Sequence, residues 1–202
     1  LYRYGLKKVK SMEKELSTNE SLAIITEMIG KAKREAAGDG SFQVLLWGWV
    51  ISLCNLGHYT LEKMDFSQPY IVWLLVIPAT LVSIIYGIRK SKNARVKTHL
   101  DLVLNQLWMA IFVGIVIVLA FMPTLQYNQS PIILILAALG MFATGVLIRV
   151  GIVKLGGILL AIASIIAFTL PVSDQYLVSG IAIVLGYLVP GYYLKRNYRE
   201  RV

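Results

Sequence analysis

The chain has 202 residues, of which 57% are hydrophobic and only 15% charged, with a formal charge of +9. A water-soluble domain of this length is nearer half apolar and a quarter charged, so the composition argues against a soluble protein. The single cysteine, Cys54, excludes an intramolecular disulfide framework and any metal site built on several thiolates.

The chain begins at Leu1, and Met12 is a candidate native start that would make "LYRYGLKKVKS" an extension. No cleavable signal is evident, because the first apolar block begins only near residue 42. Residues 1–41 read as a polar segment containing one amphipathic helix, at about 17–37. Ser17 and Glu20 have capping-box spacing, and Gly38-Asp39-Gly40 is expected to close it. Leu22, Ile25, Met28, Ile29 and Ala32 recur at helical spacing and form one apolar stripe. Residues 12–41 carry four basic and six acidic side chains, a net of −2. Attraction to anionic lipid is weak on that count. Leu22, Ile25, Met28 and Ile29 are therefore candidates for docking on the cytoplasmic loops, a second copy or a protein partner, with the lipid interface as the alternative.

Six apolar spans follow within residues 42–194. They are Phe42–Leu61, Tyr70–Arg89, Leu100–Met122, Pro131–Ile148, Val150–Leu170 and Tyr176–Leu194. Each is long enough as a helix to cross a hydrocarbon layer of about 30 Å. The fold class is all-α, a polytopic membrane protein of six transmembrane helices. Spans four and five meet at a very short turn around Arg149–Lys154 and must be antiparallel neighbours. A basic tail, 195–202, ends the chain.

Orientation follows from Lys and Arg. Nineteen of the 20 fall in the N-terminal segment, the 88–99 loop, the 149–154 turn and the tail. The alternate loops, 60–69, 122–131 and 171–176, hold only Lys63. Positive charge is retained on the cytoplasmic side, so both ends are expected in the cytoplasm and the protein in an inner, cytoplasmic membrane. The same distribution explains the basic loop "IRKSKNARVKTH" by topogenesis and headgroup contact, which argues against nucleic-acid binding.

Within the first span Gly48, Ser52, Asn55 and Tyr59 share a helical face, the usual mark of a side packed on other helices. Asn55 falls in the outer leaflet and His58 near the headgroups. In the third span Asp101, Asn105 and Gln106 lie within about 10 Å of the cytoplasmic boundary. Asp101 has a candidate partner in Arg149, or else sits on the N-terminal dipole of its own helix. Pro78, Gly156-Gly157 and the Gly186, Pro190, Gly191 group are kink signals; with neighbouring small residues such as Gly140/Thr144 and Gly157/Ala161 they point to close packing.

Enzyme signatures are poor. The two histidines, His58 and His99, are expected on opposite sides of the bilayer, and no HExxH, GxSxG or phosphate-loop pattern occurs. No metal or other cofactor is implied. Glu62, Asp65 and Asp174 read as solvated loop residues, and "NQS" at Asn128 is a weak glycosylation match next to Pro131.

The order "SLAIITEMIGKAK…LLWGWVISLCNLGHY", "HLDLVLNQLWMA", "GMFATGVLIR" and "YLVPGYYLKRN" resembles a family of small multi-span inner-membrane proteins of Bacteroidetes-type bacteria. That resemblance implies architecture and location, and carries over no catalytic or binding residue. Three functions compete. The first is a non-catalytic structural or regulatory component in contact with lipids and a protein partner. The second is a small oligomeric transporter or channel using Ser52, Asn55, Asn105 and Gln106. The third is a lipid-headgroup enzyme using His99 and Asp101.

Overall fold

The computed structural model describes residues 18–93 and 99–199. Every element in that range is helical: α1 (Thr18–Lys63), a 3-10 helix (Pro69–Leu75), α2 (Val76–Asn93), α3 (His99–Ala120), α4 (Gln129–Leu147), α5 (Gly151–Phe168), α6 (Val172–Ile183), a π-helical turn (Val184–Leu188) and α7 (Val189–Arg199). Six stretches are long and apolar enough to cross a membrane. They are Gly40–Lys63, Pro69–Lys90, His99–Ala120, Gln129–Leu147, Gly151–Phe168 and Val172–Asn197, within a few residues of the six spans read from the sequence. The chain is an all-α protein of the multi-pass membrane type.

The chain divides into two units, Leu1–Ala32 and Lys33–Val202, each taken by itself. In the first, Leu22, Ile25, Met28 and Ile29 are all more than half exposed, and Ile24 is exposed beside them. The proposed cap, Ser17, lies outside the described residues. The expected stop at Gly38-Asp39-Gly40 is a correction: the backbone there is helical. Two glycines lower helix stability by only about 1 kcal/mol each, too little to end a helix without a left-handed cap residue.

In the second unit the core lies among spans four, five and six, with Leu134, Met141, Val153, Leu160 and Leu194 almost fully buried. Glycines set the spacing. A Cβ on Gly157 would stand 2.6 Å from the Phe142 nitrogen and 2.8 Å from the Ala138 carbonyl oxygen, so the backbones of α5 and α4 touch there. A Cβ on Gly156 would stand 2.5 Å from the Gly186 carbonyl oxygen, on the other side of α5. Pro190 explains why that carbonyl is involved. It has no N–H to offer the carbonyl four residues back, which is Gly186, and the helix opens into the π-helical turn just before it. The sequence signal at Gly186 and Pro190 is thus a local widening that lets α5 approach.

The first span packs on the last. Leu188 and Tyr187 close over Gly48, and Leu56 over Gly180. Span two is fastened to span one at several points along its length. Ser83 Oγ donates to Gln43 Oε1 at 2.9 Å, Phe42 stacks on Tyr86 at 4.2 Å, and Cys54 Sγ donates to the Val72 carbonyl at 3.2 Å. Pro78 does not kink a helix at its middle, as its place in the apolar run suggested. The chain is a 3-10 helix up to Leu75 and α-helical from Val76, so the missing Pro78 N–H falls in the first turn, where no partner is needed. Span three lies against span four, with Trp108 and Ile111 over Gly140 and Trp108 edge-on to Tyr187 at 6.3 Å.

The turn between spans four and five ends α4 by a left-handed residue, Arg149, with φ 60°. The Val150 N–H reaches back to the Gly145 carbonyl and the Arg149 N–H to Val146, the pattern of a Schellman cap in which glycine is usual. An arginine there is tolerated at a cost of about 1 kcal/mol and places a cation at the negative end of the helix. Lys63 forms an ion pair with Asp174 at 3.3 Å. No described contact joins Arg149 to Asp101, the pair suggested by the sequence; the dipole of its own helix favours the Arg149 charge where it stands.

Candidate functional site

The three loops that are poor in basic residues bring their flanking residues to one end of the bundle, where the densest polar network of the described residues forms. Its starting point is His58, in the next-to-last turn of α1. The Trp73 indole Nε1–H donates to His58 Nδ1 at 3.1 Å. An accepting Nδ1 carries no proton, so the imidazole is the Nε2–H tautomer. Its ring stacks on Tyr176 of α6 at 4.0 Å, and its Nε2 faces Glu62 Oε2 at 3.9 Å, beyond hydrogen-bond length.

From Tyr176 the network crosses to the start of α4. Gln129 Nε2 donates to the Tyr176 hydroxyl at 3.2 Å. A parallel link lies beside it, where Gln175 Nε2 donates to Asn128 Oδ1 at 2.8 Å and to the Leu170 carbonyl at 3.1 Å. Lys63, last residue of α1, reaches Asp174 at 3.3 Å. Ser164 of α5 donates to the Pro131 carbonyl at 2.8 Å. Spans one, two, four, five and six are thereby tied to a neighbour at this end. The tie is built of amides and aromatics, so it survives where bulk water is thin.

Four oxygens in the network lack partners: Glu62 Oε2, Gln129 Oε1, Gln175 Oε1 and Ser179 Oγ are buried without a hydrogen bond. Both amide hydrogens of Gln175 are used, while its Oε1 accepts no hydrogen bond among the described residues. The network joins the spans as a clasp. Neither imidazole nitrogen of His58 is bonded to a hydroxyl or thiol among the described residues, so no nucleophile–base pair of the kind needed for covalent catalysis is assembled around it.

Other residues singled out by sequence occupy different places. Ser52 and Asn55 are buried, but each bonds its own helix: Ser52 Oγ to the Trp49 carbonyl and Asn55 Nδ2 to the Ile51 carbonyl. Asn55 abuts Gly180 of α6 without an interhelical hydrogen bond among the described residues. Asn105 and Gln106 point outward from α3 and are exposed, while Asp101 is half-buried in its first turn and His99 exposed at its start. The structure therefore brings His58 together with loop residues and does not bring Ser52 and Asn55 to Asn105 and Gln106.

Trp73, Gln129, Gln175 and Tyr176 went unrecognised in the sequence. A signal existed. Gln129 stands two residues before Pro131 and Gln175 four after Pro171, each an amide in the first turn of a span, where a side chain has only a neighbouring helix to bond.

No protein-family model matches the chain, no curated protein is similar to it, and no solved structure shares its fold at a significant level.

Proposed function

We propose that this chain is a non-catalytic component of a bacterial inner membrane, with both ends in the cytoplasm, that holds a protein partner on the stripe Leu22, Ile25, Met28 and Ile29. One observation carries the reading: four large apolar side chains on a single face, each more than half exposed, on a segment whose net charge of −2 over residues 12–41 disfavours adsorption to anionic lipid. The cation asymmetry supports the orientation. The resemblance to small inner-membrane proteins of Bacteroidetes-type bacteria supports the location.

Transport is the weaker reading because its proposed conduit does not assemble. Ser52 and Asn55 are satisfied on α1, and Asn105 and Gln106 face away from the bundle. Spans four, five and six meet backbone to backbone at Gly156 and Gly157, which leaves no room for a path between them at that level. Headgroup chemistry would rest on His99, which is exposed, and Asp101, which is half-buried, at the start of α3.

A photo-crosslinking amino acid tests the proposal in cells. At Met28 it is expected to give one discrete protein adduct, and at Lys31, off the stripe, none. Adducts with lipid alone at Met28, or equal adducts at both positions, would refute the docking role.

A further inference from the structure

Several polar side chains inside the spans are bonded within the chain: Ser83 with Gln43, Gln129 with Tyr176, Gln175 with Asn128, Ser164 with the Pro131 carbonyl. The Thr144 and Ser179 hydroxyls are unbonded but buried inside the bundle, whereas Asn105 and Gln106 are amides on its outside. Both are exposed, about 9–10 Å along a membrane-capable helix from His99, and neither forms a hydrogen bond among the described residues. Hydrocarbon offers an amide nothing to bond, so an amide left facing lipid is a standing drive toward association with another helix.

Asn105 also sits in a seam. Leu102, Asn105, Met109, Phe112, Val116 and Leu119 follow one another at steps of 3, 4, 3, 4 and 3 residues. The five apolar members are each 46–57% exposed. That alternation is the heptad spacing that keeps one stripe facing a partner helix in a left-handed pair. The opposite side of α3, with Ile111 and Trp108, is already taken by span four. Gln106 flanks the seam one position round.

We propose that α3 pairs with α3 of a second copy of this chain along this seam, with Asn105 at its polar layer. Two features select a second copy over an unrelated helix. A primary amide carries both a donor and an acceptor, so it is its own complement. In a membrane where every copy has one orientation, a two-fold axis along the normal makes paired helices parallel and puts Asn105 opposite Asn105 at equal depth, with no register to search. An unrelated partner would have to present a matching polar group at that depth. Asn105 thereby sets register as a buried asparagine does in a two-stranded coiled coil. This pairing is independent of the docking stripe and uses another surface.

The test is cysteine cross-linking of the full chain in a Cys54→Ser background, reconstituted in phosphatidylethanolamine/phosphatidylglycerol vesicles at low protein density and oxidised with copper phenanthroline. Met109→Cys, on the seam, is expected to form dimers roughly ten times faster than Ala110→Cys, which is exposed to lipid off it. Photobleaching counts on the uncross-linked protein should show two copies. Asn105→Leu, which only makes a lipid-facing residue more apolar, should weaken the pair about tenfold. Equal rates at 109 and 110, single-copy counts, or an Asn105→Leu protein that pairs undiminished would each overturn the proposal.

Discussion

Gly157→Val is expected to insert into the membrane but fail to close α5 on α4, with a loss of about 3 kcal/mol or more. The reason is geometric. The first atom added to Gly157 would lie 2.6 Å from the Phe142 nitrogen, 2.8 Å from the Ala138 carbonyl oxygen and 2.9 Å from the Phe142 Cα. All three are backbone, so no rotamer change relieves the clash and the helices must separate. Separation uncovers Leu134, Met141, Val153 and Leu160, all at most 1% exposed. In a lipid environment little hydrophobic force brings the pair back together, since lipid tails are as apolar as leucine; close packing is what held it. Thermal or SDS unfolding in mild detergent reads the effect. Gly87→Ala, where an added Cβ meets nothing within 4 Å, should leave the transition within a few tenths of a kcal/mol of the parent. Equal stability of the Gly157 and Gly87 variants would mean that α4 and α5 are not in contact as described.

Gln175→Leu should be the most damaging polar substitution, at about 2–4 kcal/mol. Gln175 is 1% exposed and one amide nitrogen serves two acceptors, Asn128 Oδ1 and the Leu170 carbonyl. Leucine fills a similar volume, yet strands both acceptors where neither lipid nor water reaches them easily. The loss should concentrate at the clasp: hydrogen exchange should accelerate at the starts of α4 and α6 before it does at the ends that meet near Arg149. Gln175→Glu separates packing from hydrogen bonding, because it keeps the shape and removes both donors. If Gln175→Leu unfolded at the parental temperature, the clasp would contribute nothing to holding the spans.

Much of the architecture was legible because hydrocarbon thickness imposes a length. A block of about twenty apolar residues, such as Pro131 to Ile148 or Val150 to Leu170, matches that thickness as a helix and is far longer than a buried strand needs. Which spans pack on which was not legible. Gly156 and Gly157 announced a close approach, but one glycine faces α4 and its neighbour faces the π-helical turn, a division that depends on the rotation of α5 about its axis. Asn105 and Gln106 misled for the same reason. Polar residues in a span usually face inward, and here the Trp108 indole and Ile111 take the inward side. The clasp was illegible because it joins residues 58, 73, 129 and 176, which become neighbours only after three loops turn back. No local spacing encodes that. The stop at Gly38–Gly40 failed for a smaller reason, since composition marks where a helix is weak and not where it ends.

The proposed docking role and the proposed cytoplasmic placement of the basic loops, with the clasp on the opposite side, depend on which side of the membrane each loop occupies. Single cysteines test this directly, again with Cys54→Ser, treated with a membrane-impermeant maleimide in intact cells and after permeabilisation. Cysteines replacing Ser67 and Thr124 are expected to react in intact cells, whereas those replacing Glu27, Lys92 and Lys195 should react only once the membrane is breached. Labelling of Glu27→Cys and Lys195→Cys from opposite sides would contradict an even number of crossings, and with it the cytoplasmic placement of the docking stripe.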